Sequence, residues 1–342
     1  MLKKISLKDI ANQVGVSTAL VSYVLNNQKE GRINKEVAQK IRDTAKQLNY
    51  RTNQVAKSLK TNKTFTIGLV VADISNPFFS SLARIIEDEA DKHNYTVIFG
   101  SSDENPKKSE KLMETLVNRQ VDGLIIAPPE NSEPQINYLI EQDIPFVLID
   151  RYFPGIETNF VAIDNYKAAY TAVQHFIDIG RKRPGLITYE SSIFNLNERT
   201  RGYLSAMKEN EITFKTDWLI KLRANNTKLY IEKAINELLG GSQPVDALLF
   251  SSNTIAAWGL KYLNSLNIKV PGQIAVISFD ESEAFDLFYA PVTYIKQPLQ
   301  EMGKAAINIL LETIGKNNKL VQLNMEAGLI IRESTVGQRE LD

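Results

Sequence analysis

The chain has 342 residues, 43% hydrophobic and 23% charged, values of an ordinary folded protein long enough for two or three units. With no Cys and two His it has no means of making disulfides, thiolate catalysis or Cys-built zinc sites, and no apolar run approaches the ~18 residues of a membrane span. The formal charge is zero, yet residues 1–63 hold 13 basic against 4 acidic side chains, a net +9, which leaves −9 on the remainder; a basic head on an acidic body implies a polyanion-binding module joined to something else, with a solvated basic face as the plainer reading.

The start, Met1 to Asp9, lacks an apolar signal region, so a cytoplasmic protein is expected. Ser6-Leu7-Lys8-Asp9 reads as a capping box that opens a helix with Leu7, Ile10, Ala11 and Val14 on one face. Gly15 breaks it, and Ser17 caps a second helix carrying Leu20, Val21, Val24 and Leu25. A third apolar-periodic run is Val37, Ile41, Ala45 and Leu48. Two short helices joined at a Gly turn and braced by a third make the helix-turn-helix plan, whose second helix enters the major groove.

Asp9-Ile10-Ala11, Val14-Gly15-Val16-Ser17, Val21-Ser22 and Val24-Leu25-Asn26 resemble the head of the lactose-repressor (LacI/GalR) family of bacterial transcription regulators, as does Leu48-Asn49-Tyr50-Arg51 running into Asn53-Gln54-Val55-Ala56-Lys57-Ser58-Leu59. The resemblance implies base contacts from Thr18 and Ala19, both small and suited to a thymine methyl or a single hydrogen bond. Leu20 stands where the family usually has Thr. Tyr23 stands where it often has Arg, and Tyr cannot make the two-pronged contact to guanine. Ser17, Ser22 and Asn26 are expected at phosphates, with Ser6 in the same DNA-facing set and Arg32 reaching the backbone from the turn before the third helix. The stretch Asn53–Thr61 is too short for a stable helix alone in water. By resemblance it folds on DNA through Asn53, Val55 and Ala56 and pairs with its dimer mate in the minor groove, where Leu59 wedges a base step; a plain linker is the other reading.

From Thr64 the pattern becomes strand–helix alternation. The β-rich runs 65–71, 95–99, 123–126 and 145–149 form one series, and 185–189, 247–250 and 274–279 a second. Buried strands with intervening helices indicate parallel α/β sheets. The expected fold is thus a small all-α helix-turn-helix head plus an α/β two-lobed periplasmic-binding-protein-like body, two parallel sheets flanked by helices. The expected units are a head over 1–52, a hinge over 53–63, a first lobe over 64–162 with 292–323, and a second over 163–291 with 324–342.

Ligands of open α/β sheets sit beyond the carboxyl ends of strands. The polar and aromatic residues there are Asp73, Phe78 and Phe79, Ser102 and Asp103, Asp150 and Arg151, and Asp164. The resemblance adds Arg199, leading an R-x-x-G-aromatic element through Gly202-Tyr203. It also adds Asn253, next to Thr254 where the family has Asp, then Asp280 in a G-F-D element whose Gly is Ser278, and Gln297 near the closing motif. Each residue taken singly fits a cap or an ion pair equally well. Together, carboxylates, Arg and amides in a cleft imply a polyol, so the expected effector is a sugar; a purine, a sugar phosphate or a protein corepressor is the alternative. Trp258 is expected at a homodimer interface or in the core. No G-x-G-x-x-G, Walker loop, G-x-S-x-G or H-E-x-x-H occurs. The expectation is a regulator of double-stranded operator DNA with no enzymatic activity, cofactor, metal or membrane contact. A sugar-transport receptor is the rival that the body fits equally well.

Overall fold

The computed structural model describes residues 5–26, 32–50, 63–223, 227–317 and 319–336. The chain divides into two compact units, Met1–Thr64 and Phe65–Asp342. The expected hinge contacts Asn53, Val55, Ala56 and Leu59 lie outside the described residues.

The first unit is three short helices: α1 (Leu7–Val14), α2 (Thr18–Leu25) and α3 (Lys35–Gln47). The capping box forms as the sequence indicates. The Ser6 amide donates to Asp9 Oδ2 at 2.8 Å, and the Asp9 amide donates back to Ser6 Oγ at 3.4 Å. Gly15 takes φ 79°, a left-handed conformation that a residue with a Cβ adopts at a cost, and its amide closes α1 on Ala11 O. Ser17 then caps α2 through the Leu20 amide, and Asn34 caps α3. Ile10, Ala11, Val21, Val24, Ile41 and Ala45 form a small closed core between the three.

The second unit holds two six-stranded sheets. The first has the order β11-β5-β4-β3-β1-β2, all parallel, from β1 (Thr66–Val71), β2 (Thr96–Ser101), β3 (Gly123–Ile126), β4 (Phe146–Ile149), β5 (Phe160–Ile163) and β11 (Gln322–Met325). The second has the order β12-β10-β9-β8-β6-β7, from β6 (Pro184–Tyr189), β7 (Leu219–Leu222), β8 (Ala247–Phe250), β9 (Ala275–Phe279), β10 (Thr293–Lys296) and the antiparallel edge β12 (Gly328–Ile330). Central strands are buried end to end, which is why they read as continuous apolar runs in the sequence. Helices α4 (Pro77–Lys92), α5 (Pro106–Asn118) and α6 (Glu133–Glu141) serve the first sheet. Helices α7 (Asn165–Asp178), α8 (Phe194–Glu209), α9 (Thr227–Gly240) and α10 (Asn253–Ser265) serve the second. Helix α11 (Leu299–Ile314) returns to pack on α4, β3, β4 and β5.

Two expected lobe boundaries move. The strand Thr293–Lys296 pairs in parallel with β9, so the chain re-enters the first lobe only after Lys296, not near 291. Pro298, which cannot donate to a ladder, marks the true break at the start of α11. Likewise Gln322–Met325 pairs with β5, so the last passage follows Met325 rather than residue 323.

Candidate functional site

In each sheet the chain runs to one side first and then reverses: β1 lies between β2 and β3, and β6 between β7 and β8. At such switch points the loops beyond the strand ends part and leave a crevice. A cavity of about 360 Å³ opens there between the two lobes. Lobe one contributes Asp73, Asn76, Phe78 and Phe79 after β1, Glu104 after β2, Glu130 after β3, and Asp150 and Arg151 after β4. Lobe two contributes Tyr189–Ser191, Asn195, Arg199, Thr254 and Asp280. Gln297 closes the cavity from the second crossing segment.

Arg199 is the best-anchored cation in this cavity. It is 4% exposed. Its Nε donates to Asn165 Oδ1 at 2.7 Å and its Nη1 to Ser251 O at 2.6 Å, while Cζ lies 4.0 Å from the centre of the Phe279 ring. The R-x-x-G-aromatic spacing explains the placement. Arg199 and Gly202 share one side of α8, and a Cβ at Gly202 would stand 2.2 Å from Tyr166 O; only Gly lets α8 lie on α7 closely enough for Arg199 to reach Asn165. Tyr203, fully buried, locks the same turn by donating to Pro184 O at 2.9 Å.

Asp150 and Asp280 are counterparts, ending β4 and β9 at matching positions of the two sheets. Both are buried, and both take left-handed backbone, φ 66° and 68°, an arrangement that costs on the order of 1 kcal/mol and concentrates at functional sites. Burial pushes the Asp150 carboxyl from 3.8 up to about 6, against the pull of Arg151 and Arg199. Burial also raises Asp280, opposed by Arg199 and by Gln297, whose Nε2 donates to Asp280 Oδ1 at 2.6 Å. Burial pulls the Arg199 guanidinium below its usual value, opposed by Asp280 and Asp150. Burial also opposes the charge on Arg151, but a two-pronged pair with Glu104, 2.7 Å on each arm, and the nearby Asp150 outweigh it and raise its pKa. Two buried amide oxygens, Asn195 Oδ1 and Gln297 Oε1, have no hydrogen-bond partner among the described residues. They are acceptors suited to hydroxyl or N–H donors.

A pH dependence follows from Asp150. A carboxyl raised in the folded state favours folding when protonated, and that contribution is lost as pH rises from about 4 through about 6. Asp150→Asn is therefore expected to stabilise the ligand-free protein at pH 8 by on the order of 2 kcal/mol and to do little at pH 4. Thermal melts at the two pH values check this; an equal effect at both would refute it.

Of the expected cleft residues, Asp73, Phe78, Phe79, Asp150, Arg151, Arg199, Asp280 and Gln297 meet at this cavity. Four do not. Ser102 is buried and its hydroxyl donates to Val71 O and Ala72 O, tying the end of β2 to β1. Asp103 pairs with Lys108 and Ser101, and it is the next residue, Glu104, that the turn carries to the cavity. Asp164 caps α7 by accepting from the Lys167 amide at 2.8 Å, while its neighbour Asn165 holds Arg199. Asn253 lies behind the lining, where its Nδ2 donates to Asn76 Oδ1 at 2.9 Å and clasps the lobes together. Glu104, Glu130, Tyr189, Ser191 and Asn195 were missed, for no motif marks them.

In the head, Ser17, Thr18 and Ala19 at the start of α2 are exposed, and Ser22, Tyr23 and Asn26 follow on the same side at helical spacing. The Asn26 amide donates to Ser22 O and Ser22 Oγ. Arg32 is exposed. Ser6 serves the α1 cap. Leu20, in the same DNA-facing stretch, is half-buried and packs on the head's core. Trp258 is half-buried against the second-lobe core, with the Lys228 and Lys261 ammonium groups over its ring. No described helix is long and apolar enough to cross a membrane, and no grouping of His, Asp or Glu among the described residues suits a metal ion.

Two family models match the chain. Residues 64–326 match the periplasmic binding proteins and sugar binding domain of the LacI family, and residues 6–53 match the bacterial regulatory proteins of the lacI family. A transcriptional regulator of Clostridium saccharobutylicum, RegA, is 32% identical over 97% of this chain and 99% of its own. The transcriptional repressor PurR of Haemophilus influenzae is 29% identical over 96% of this chain and 98% of its own. In fold, the lac repressor dimer bound to operator and an anti-inducer superposes with a TM-score of 0.85 at 19% identity, covering 97% of this chain and 99% of that one.

Proposed function

Since the chain belongs to the LacI family of bacterial regulatory proteins, whose members are transcriptional regulators and not enzymes, we propose that it is a dimeric repressor whose operator affinity is switched by a neutral sugar held between the two lobes. The observation that carries the ligand reading is the chemistry of the cleft. Asp73, Glu104, Glu130, Asp150, Glu190 and Asp280 face only Arg151 and Arg199 among the lining residues, a balance that repels phosphorylated or carboxylated ligands. Buried acceptors at Asn195 and Gln297, a guanidinium fixed at Arg199 and the aromatic edges of Phe78 and Phe79 suit a ring bearing several hydroxyls. Both lobes hold the ligand, so occupancy favours one lobe arrangement over another, which is what a switch requires.

DNA reading is assigned to the start of α2. Thr18 and Ala19 face bases, Ser17, Ser22, Tyr23 and Asn26 flank them, and Arg32 and Ser6 lie at the backbone. The hinge stretch around Asn53, Val55 and Ala56 carries Leu59 as a minor-groove wedge. For the dimer, Trp258 is one candidate surface; the first-sheet edge strand β2, with Ile98 and Phe99 exposed, is another.

The test is binding to a pseudopalindromic duplex selected from a random library. Specific binding is expected to be at least ~1,000-fold tighter than to random duplex at the same salt, with a steep loss as salt rises. Leu59→Ala is expected to weaken specific binding by about tenfold or more while non-specific binding holds. Equal loss on both duplexes rules out the wedge, and no preference for any duplex rules out the regulator reading.

A further inference from the structure

Beside the effector cavity lies a second chamber of about 330 Å³, lined from both lobes. The two share Glu130, Arg151 and Ile193, so they are neighbours with those three side chains between them. The walls differ in kind. The first is crowded with charge, whereas the second sets half-buried Tyr152, Phe153 and Phe194 beside Glu130, Glu133 and Arg151, with Asn131 and Asn137 at its rim. Tyr152 stacks on Phe160, centroids 3.8 Å apart and planes 1° from parallel, and meets Phe194 at 5.1 Å, so the aromatic corner is rigid.

The partition is fixed as well. Glu130 reaches from lobe one to lobe two, where its Oε1 accepts from the Ser192 amide at 2.6 Å and its Oε2 from the Ser191 hydroxyl at 3.2 Å. Burial alone would raise this carboxyl, but the bonds from Ser192 and Ser191 outweigh it and keep it below its usual range. A carboxylate held at the join, with guanidinium beside it, is placed to take hydroxyls from a ligand that passes through.

We infer that the effector is an oligosaccharide of at least two rings, one in the charged cavity and the next on the Tyr152–Phe153–Phe194 corner, with Glu130 at the linkage. This rests on the sugar reading of the cleft and names its ligand class. The apolar face of a pyranose covers aromatic edges while its hydroxyls meet Asn131 and Asn137. On this reading a single ring stays in the first chamber and leaves the aromatic corner uncovered, and a second ring reaches it.

Calorimetric titration of the full-length protein with glucose, galactose and xylose, and with cellobiose, maltose, lactose and xylobiose, tests this. One disaccharide is expected to bind at least about tenfold tighter than its component monosaccharides. Gly155→Trp and Asn137→Ala then separate the chambers. Gly155 lines the second chamber and a Cβ there meets nothing within 4 Å, so the backbone accepts a side chain at this point of the wall. Each variant is expected to erase most of the disaccharide's advantage while leaving monosaccharide affinity within about twofold. Equal binding of one and two rings in the native protein, or equal losses for both in the variants, overturns the second subsite and leaves the cleft reading standing. Failure of every saccharide, or binding unaffected by Arg199→Ala, overturns the cleft reading itself and this inference with it.

Discussion

Arg199→Ala is expected to abolish the response to ligand while operator binding persists. Three contacts fix this guanidinium: Asn165 at Nε, Ser251 O at Nη1, and the face of Phe279. Nη2 makes no hydrogen bond among the described residues, which leaves it for a ligand oxygen. Removing the side chain takes away a charge-assisted contact and also leaves Asp150 and Asp280 buried with Arg151 as their remaining cation. The lost contact to the ligand costs about 3 kcal/mol, a loss of roughly 100-fold in ligand affinity, and the uncompensated carboxylates lower stability as a separate effect. Arg199→Lys is not expected to rescue it, since an ammonium cannot meet Asn165, Ser251 O and a ligand in one plane. The head closes its own core around Ile10, Val21 and Ile41 and is untouched by the change. Calorimetry and fluorescence anisotropy read the two functions separately; an unchanged ligand affinity would remove Arg199 from the site.

Gly202→Ala is expected to have the largest effect on stability of any single-methyl addition at the cleft. The new Cβ would lie 2.2 Å from Tyr166 O and 3.0 Å from Tyr170 N, both backbone atoms of α7 that no rotamer change can move. The helices must part, at about 3 kcal/mol, which lowers the melting temperature by roughly 5 °C in a protein of this size. Asn165 sits on the displaced helix, so Arg199 loses its anchor and ligand affinity falls with stability. Gly240→Ala is the control: its Cβ meets nothing within 4 Å. Equal melting temperatures for the two variants would mean that α7 and α8 are not held in contact as described.

The sequence carried the fold further than the site. Ser6 with Asp9, Gly15 and Ser17 are local signals whose partners lie within four residues, and each forms the cap it implies. Strands were visible because a parallel sheet buried on both faces leaves an unbroken apolar run. The boundary at Lys296 was hidden because a four-residue strand can pair with either sheet, and only its long-range partner β9 decides.

At the cleft, residues just past strands were legible as a class, but the choice between neighbours was not. Asp103 and Glu104 both take positive φ, and the turn sends the longer side chain inward to Arg151. Asp164 and Asn165 divide the same way, one capping its helix and the other holding Arg199. Glu130 could not be read at all, since what gives it meaning is the Ser192 amide 62 positions away on the other lobe. Leu20 shows a family departure with a local reason: where the family usually has Thr, this apolar side chain is half-buried and packs on the head's own core.

The central claim is that occupancy of the interlobe cleft sets affinity for operator. It is tested most directly by titrating a labelled pseudopalindromic operator duplex with the full-length protein, without sugar and with a saturating cleft ligand from the saccharide panel. The dissociation constant is expected to change by roughly 5- to 150-fold, and operator must change ligand affinity by the same factor. Arg199→Ala should bind operator as before and show no change on adding the ligand. Identical dissociation constants with and without a ligand that calorimetry shows to be bound would contradict the claim.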